Sequence, residues 1–550
     1  MDSAHAAGPQ DGEVDVVVIG AGFAGLAMAN RLQENGFSMQ GFEAGGDVGG
    51  TWYWNRYPGA RCDVESMEYS YRFSEELQQQ WDWSERYAAQ PEILRYANHV
   101  ADRFDLRRHF RFNTRVESAV FDEASARWIV FTSDGGRTIA RFLVTAVGCL
   151  SASNLPDIAG LDSFRGQLVH TGSWPPEGVA LAGKRVGVIG TGSSGVQVIP
   201  MIAREAAALT VFQRTPAYCV PAHNGPMDPA HAAEIKRDYK AFRDHCGRQF
   251  GASAGTPGTK SALEVDEAER RRIYEEAWAR GGLFFQGAFY DLTYDMKAND
   301  TAMAFFRDKI REIVKDPETA EKLTPKYRLG EKRLCVDSGY YETFNRPNVH
   351  LVDLKRDPIR RVTEAGVLTE SGEHPLDILV LATGYDAITG PLLRMDIRGR
   401  GGRRLRDDWA EGAQSFLGIG VAGFPNLFIV SGPGSPCVLT NMVYSIEQHV
   451  DWIAACLTYL RAQGLGLIEA DEAAQQQWGD ELDAMAAGTL VASGNSWYNG
   501  SNIDGKPRRF MIHLNYPGYV DRCEAVAAEG YRGFRLGRAD RSAEPLASAS

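Results

Sequence analysis

Two glycine loops, each set between a short apolar run and a helical pattern, constrain this chain more than any other feature. The first, Gly20-Ala21-Gly22-Phe23-Ala24-Gly25, is entered from the β-branched run Val14–Ile19 and followed by a helical pattern over Leu26–Glu34. The second, Gly190-Thr191-Gly192-Ser193-Ser194-Gly195, is entered from Arg185–Ile189 and followed by Val196–Ala207. A lone GxGxxG run says little, but between a strand and a helix its glycines have separate tasks. They permit a tight turn, let the backbone approach a pyrophosphate and let helix pack on strand, while the helix N-terminus offers free N–H groups and partial positive charge. After the first loop a strand over Phe37–Phe42 delivers Glu43, an acid about 20 positions on and placed to accept from ribose hydroxyls. The pattern predicts an α/β chain with two Rossmann-like dinucleotide-binding domains whose loops lie 170 residues apart (190 − 20).

The two units differ where their second strands end. Leu209–Gln213 leads into Arg214-Thr215, with no carboxylate. An arginine there favours a 2′-phosphate, and hence NADPH, although an exposed arginine at a strand end is the bland alternative. The N-terminal unit favours FAD, the cofactor that stays. From about 222 to 324, runs such as DEAERRRIYEEAWARGG have helical period and mixed charge, which predicts an inserted helical subdomain. The expected division is 1–151 and 387–550 for the FAD domain, 152–219 and 331–386 for the NADP domain, and 220–330 for the helical insert.

Composition removes several function classes. A chain of 550 residues exceeds one ordinary core. The formal charge of −12 (59 − 71) argues against nucleic-acid and anionic-membrane partners. No apolar run is long enough to span a bilayer. The polar N-terminus reads as a short flexible tail and not as a secretory leader, and the chain beyond Leu536 reads as a disordered tail. Eight cysteines with no CxxC pair suggest reduced thiols in a cytoplasmic protein. They also exclude the disulfide reductases, which share the two-dinucleotide plan but need a redox cysteine pair. The remaining candidates hold reduced flavin ready for oxygen.

Three further stretches stand out. Gly49–Asp63, GGTWYWNRYPGARCD, has three consecutive aromatics beside glycines and a Pro58-Gly59 turn; after a flavin loop it reads as a wall around the flavin ring. Ser431–Pro436 is a glycine-rich loop before a helical pattern over Val438–Gln463 that carries Met442 near its start. Phe164-x-Gly166-x-x-x-His170-x-x-x-Trp174-Pro175 has fixed spacing but no hydrophobic period, and alone would pass for an interdomain loop.

With both glycine loops in view, that last stretch resembles the FxGxxxHxxxWP fingerprint of type I Baeyer–Villiger monooxygenases. Gly49–Asp63 and Ala382–Gly390, ATGYDAITG, are similar to the same family, most of all to its phenylacetone- and steroid-oxidising members. The similarity runs from about Val14 to Leu536. Departures fall at Ala146-Val147-Gly148, in a crossing strand, and at Cys437-Val438, in a loop that lines the substrate pocket of relatives.

The resemblance implies FAD, NADPH and O2 acting on a small-molecule ketone through a flavin C4a-peroxide to give an ester or lactone. A monomer or weak homo-oligomer is expected, with no motif that fixes the oligomeric state. The resemblance puts Arg333 at the peroxide with Asp63 holding its guanidinium in a forked pair, and Lys332 with Arg214 and Thr215 on the 2′-phosphate. Thr51, Trp52, Asp63, Tyr69 and Met442 would contact FAD, and Arg61, Cys62 and Arg333 NADP. Cys437, Val438, Leu439 and Trp497 would line the substrate pocket. His170 and Trp174 would couple domain motion, with His170 not acting as a general base. The rival chemistry is N- or S-oxygenation by a related flavin monooxygenase.

Overall fold

The β-branched runs that lead into the glycine loops are buried over their last four residues, Val16–Ile19 and Val186–Ile189, as strands inside a parallel sheet must be. In the computed structural model, which describes residues 12–538 and 547–548, they form the centres of two separate sheets. The first runs Asp396–Arg398, Val116–Asp122, Arg127–Thr132, Arg137–Thr145, Gly12–Ile19, Met39–Phe42, Phe110–Arg111. Its antiparallel part is the meander Val116–Thr145, and Leu427–Ile429 joins the far half of Arg137–Thr145 in parallel. The second sheet is wholly parallel, in the order Val349–Asp353, Ala208–Gln213, Arg185–Ile189, Ile378–Leu381, Gln167–His170. Every strand of the first sheet falls in 1–151 or 387–550, and every strand of the second in 152–219 or 331–386.

The helical insert leaves and rejoins the second unit through one ladder, in which Cys219–Pro221 pairs in parallel with Cys335–Asp337. Its helices do not share one core. Those at Glu267–Arg280 and Met296–Ile313 enclose an aromatic cluster of Tyr274, Phe285, Phe305 and Phe306. By contrast Pro229–Arg237 and Tyr239–Gly247 turn their apolar faces, with Ile235 and Tyr239, onto the core of the first nucleotide unit. The insert therefore bridges both units.

The helix read over Val438–Gln463 begins later, at Met442, where the Asn441 side chain accepts from the Val443 N–H. Cys437–Leu439 forms a separate short turn, with Cys437 in the left-handed region at φ 46°. The expected N-terminal tail lies in part outside the described residues, since Gly12 already opens a strand. Beyond Leu536 the described chain is ordered, not loose. Phe534–Gly537 pairs with Leu467–Ala470 on one side and with Ala547–Ser548 on the other, giving its backbone groups ladder partners. The rest of that tail lies outside the described residues.

Candidate active site

Both glycine loops are shaped to receive a phosphate. The helices behind them, Phe23–Glu34 and Ser193–Glu205, start at Gly22 and Gly192 with no side-chain cap, whereas the helices at Glu267, Met296 and Glu472 start on aspartate caps. Their first-turn N–H groups remain available to an anion. A Cβ at Gly25 would overlap the Gly20 carbonyl oxygen, and one at Gly195 the Gly190 carbonyl oxygen, so only glycine lets helix and loop approach this closely. Glu43 is buried, and its two carboxylate oxygens accept from the Ala21 N–H at 2.8 Å and the Gly45 N–H at 2.7 Å. It fixes the first loop and keeps further lone pairs for ribose hydroxyls. The residues fit a dinucleotide at each loop.

Beside the first loop, Phe23, Trp52 and Tyr69 form an aromatic group. The Trp52 indole donates to the Tyr69 hydroxyl at 3.1 Å, and the Phe23 and Tyr69 rings lie 5.5 Å apart. Ala24 is buried in the first unit's core, Thr51 is exposed at the start of the short helix Thr51–Trp54, and Met442 packs against the cores on both sides. The chain then crosses to the second unit. Gly59, at φ 84°, passes so near the helix behind the second loop that a Cβ would stand 2.5 Å from the Gln197 carbonyl oxygen. Gln197 meets the segment with its side chain too. The Tyr57 hydroxyl donates to its Oε1 at 2.8 Å, and its Nε2 donates to the Arg61 carbonyl at 3.0 Å and to Asp63 Oδ1 at 3.4 Å. Arg61 has its guanidinium on Glu85 and the Tyr87 carbonyl, leaving its main chain toward the second unit. Cys62 is buried, and its thiol accepts from the Val64 N–H.

Asp63 and Arg333 meet across 270 positions. The Arg333 Nε donates to Asp63 Oδ2 at 3.3 Å, and its Nη1 donates to the Val438 carbonyl at 2.8 Å. The pair is not forked, because Oδ1 of Asp63 is turned to Gln197. The guanidinium is instead strung between the aromatic segment and the Cys437–Leu439 turn. Burial pushes the Asp63 carboxyl above its ordinary value, and Arg333 only partly offsets this. Tyr498, on the turn Trp497–Asn499, is buried beside the guanidinium, with the Trp497 and Tyr498 ring centroids 4.5 Å apart. Cys437 and Val438 are buried, Leu439 is half-buried, and the Cys437 thiol faces that of Cys149.

At the end of the second unit's strand, Arg214 is exposed and makes no hydrogen bond or ion pair among the described residues. Thr215 is tied to the loop through its carbonyl, which accepts from the Thr191 hydroxyl at 2.9 Å. Burial, then the charge of Arg214, hold the Lys332 ammonium below the usual lysine range, and Lys355 adds to this. Three cations repelling one another is an arrangement that a dianion would relieve. Ser193 of the same loop has its hydroxyl 3.5 Å from the Cys335 thiol.

The fingerprint stretch lies against the crossing between the units. Phe164 packs under the second sheet, and a Cβ at Gly166 would strike the Asp377 carbonyl oxygen at 2.5 Å. His170 ends the strand Gln167–His170; its Nδ1 accepts from the Gly172 N–H at 2.9 Å, and burial lowers its pKa. Its ring stands edge-on to Tyr385, whose hydroxyl donates to Asn55 in the aromatic segment. Trp174 is buried in the second unit's core. A strap follows from the C-terminal part of the chain: the Asn495 carbonyl accepts from Lys332, Asn502 donates to the Tyr385 carbonyl at 2.9 Å, and Lys506 pairs with Asp386.

Comparison with known proteins bears on what this site does. Residues 13–225 match the family described as Flavin-binding monooxygenase-like. A Baeyer–Villiger monooxygenase of Pseudooceanicola batsensis is 44% identical over 539 residues, covering 97% of this chain and 98% of the relative. The chain belongs to the Baeyer–Villiger monooxygenase family. The solved structure of an oxidized steroid monooxygenase bound to NADP has a TM-score of 0.92 and 52% identity, over 96% of this chain and 100% of that one. A phenazine N-monooxygenase of Lysobacter antibioticus is also similar, 44% identical over 527 residues, covering 95% of this chain and 97% of the relative. Within this Baeyer–Villiger framework, four residues at the centre were not legible beforehand: Asn55, Gln197, Lys355 and Tyr498. Asn55 sits in the aromatic stretch Gly49–Asp63, and Tyr498 stands next to Trp497. Gln197 and Lys355 carry no local signal, since one lies on an ordinary helix face and the other beyond a strand end.

Proposed function

We propose that this Baeyer–Villiger monooxygenase uses NADPH and O2 to insert one oxygen atom beside the carbonyl of a small-molecule ketone, giving an ester or lactone. The observation that carries the proposal is Arg333, a buried cation strung between Asp63 and the Val438 carbonyl where the two nucleotide units meet. FAD would be held by Gly20, Gly22, Phe23, Ala24, Gly25 and Glu43, with Thr51, Trp52, Asp63, Tyr69 and Met442 along its ring. NADP would be held by Gly190–Gly195 and by Arg61, Cys62 and Arg333, with Arg214, Thr215 and Lys332 on the 2′-phosphate. When bound, NADPH supplies a hydride to the flavin, and the reduced flavin supplies the electrons that activate O2.

The chain's own groups do the rest. Arg333 stabilises negative charge on the oxygen that attacks the carbonyl, in a site where fixed charges act strongly because water is excluded. Asp63 keeps the guanidinium aimed, and the Val438 carbonyl joins that aim to the pocket loop. Cys437, Val438, Leu439 and Trp497 shape the ketone site. His170, through Tyr385 and Asn55, ties the fingerprint to the flavin side, which suits a coupling role for His170 and Trp174 as the nucleotide moves. The division into FAD domain, NADP domain and helical insert is part of this proposal, supported by the way the two sheets separate along it. So is a cytoplasmic location, supported by eight free, buried cysteines. No described helix is long and apolar enough to cross a membrane. The protein would act as a monomer or weak homo-oligomer, which sedimentation would check.

A second reading, oxygenation of an aromatic nitrogen, is favoured by the similarity to the phenazine N-monooxygenase. Following NADPH oxidation with a panel of ketones and with phenazine, and weighing the products, separates the two. Esters from ketones support the proposal. N-oxide from phenazine with no ester from any ketone overturns it.

A further inference from the structure

We propose that Gln197 is a positioning residue for oxygen transfer, the link through which the helix behind the second nucleotide loop sets the orientation of the Asp63–Arg333 pair. The inference rests on the function proposed above and goes beyond it, because the Gln197 side chain turns from the pyrophosphate helix to Tyr57, Arg61 and Asp63.

The geometry is continuous from one nucleotide unit to the other. Gln197 stands one turn into Ser193–Glu205. Its Oε1 takes the Tyr57 hydroxyl at 2.8 Å, and its Nε2 reaches the Arg61 carbonyl at 3.0 Å and Asp63 Oδ1 at 3.4 Å. Asp63 passes the connection to Arg333 Nε at 3.3 Å, and Arg333 to the Val438 carbonyl at 2.8 Å. The amide cannot be turned round. With oxygen and nitrogen exchanged, Oε1 would face the Arg61 carbonyl and the Asp63 carboxylate, two acceptors. Gln197 therefore fixes which carboxylate oxygen Asp63 offers to Arg333. That is why the ion pair is a single contact and not a fork. The close approach at Gly59 holds the helix and the Tyr57–Asp63 segment together, so a shift of the helix is carried into the carboxylate without slack.

The amide donor also supports the charge on Asp63, a carboxylate that burial otherwise disfavours. Around it stand Tyr57, Cys62, Tyr87 and Arg333, and Arg61 spends its side chain on Glu85. Arg333 is the one cation among them that faces Asp63. A carboxylate at position 197 would accordingly repel Asp63 when ionised and replace the lost donor when protonated.

Three variants test this: Gln197→Glu, Gln197→Leu and Gln197→Leu with Asp63→Ala. The readouts are ester formed per NADPH oxidised across pH 6–9, the NADP+ dissociation constant, and hydrogen exchange of the amides in 57–64. The last is measured without turnover. For Gln197→Glu the expected result is a loss of coupling of about tenfold at pH 9, as for one charge-assisted contact, recovering as pH falls and the new carboxyl protonates. Gln197→Leu should lose a similar amount at every pH, with faster exchange in 57–64 and an NADP+ dissociation constant within about threefold of wild type. The double variant should be little worse than Asp63→Ala alone, because Gln197 acts through Asp63. Wild-type coupling in Gln197→Glu at all pH, or a loss that tracks NADP+ affinity alone, overturns the inference. Wild-type enzyme is assayed beside the variants: if it makes no ester from any ketone, the function itself fails, whereas ester from wild type and Gln197→Glu alike removes only the role of Gln197.

Discussion

Replacing Arg333 with alanine removes the one cation that faces Asp63 and leaves that carboxylate buried against Gln197 alone. Two losses are expected to combine. The first is the charge opposite the attacking oxygen, and losing one preorganised electrostatic group of this kind costs about 10²–10³ in rate, or about 2.7–4 kcal/mol of transition-state stabilisation. The second is the tie from Arg333 to the Val438 carbonyl, which lets the pocket turn drift. FAD binding should survive, since neither the first glycine loop nor Glu43 touches Arg333. The assay has three parts: flavin content after gel filtration, the rate of flavin reduction by NADPH without oxygen, and ester or lactone formed per NADPH in air. Arg333→Ala should keep the first, retain much of the second and lose at least a hundredfold in the third. Arg333→Lys should fall between, because a single ammonium keeps charge but cannot serve Asp63 and the Val438 carbonyl with the same geometry. The pair acts as a unit, so Asp63→Ala with Arg333→Ala should be little worse than Arg333→Ala. Ester formation by Arg333→Ala within threefold of wild type refutes the reasoning.

Arg214→Ala should raise the Michaelis constant for NADPH about tenfold to a hundredfold and hardly change that for NADH, since a lost charge-assisted contact is worth roughly 1.5–3 kcal/mol; equal loss with both cofactors removes the phosphate role. Trp174→Ala and His170→Ala should slow ketone turnover while FAD stays bound and the flavin spectrum is unchanged, and wild-type turnover in both would end the coupling role. The buried carboxylates Glu68 and Glu447, both pushed by burial up to about 7 from an ordinary 4.5, give a pH signature. Their raised values contribute stability that is complete below 4.5 and is lost as pH rises through 7. Denaturant unfolding should therefore show stability falling from pH 5 to pH 8, with a shallower fall in Glu447→Gln. An identical slope in that variant would place the titration elsewhere.

Local chemistry made much of this fold legible from sequence. Arg185–Ile189 forms the strand expected of it, because an apolar β-branched run ending in glycine has few other uses, and both glycine loops stand between strand and helix as read. Glycine demands such as those at Gly25 and Gly195 are written in the residue itself. What depends on residues distant in the chain was less legible. The meeting of Asp63 with Arg333 could be anticipated only through family resemblance, since neither residue carries a periodic signal, and the anticipated fork was absent because Gln197 occupies the other carboxylate oxygen. The helices of the insert look alike in charge and period, yet Ile235 and Tyr239 pack on one nucleotide unit while Phe305 and Phe306 enclose a core of their own. Their apolar faces are visible in the sequence, but their partners are not.

The most direct measurement of the central claim is isotopic. Purified enzyme with FAD, NADPH and a cyclic ketone is run under ¹⁸O₂, and the product is weighed. The expected result is one ¹⁸O per molecule of lactone, in the ring oxygen and not the carbonyl, with one NADPH consumed for each lactone formed. Lactone without the label, or ketone recovered unchanged while NADPH and ¹⁸O₂ are consumed and phenazine is oxygenated instead, would contradict it.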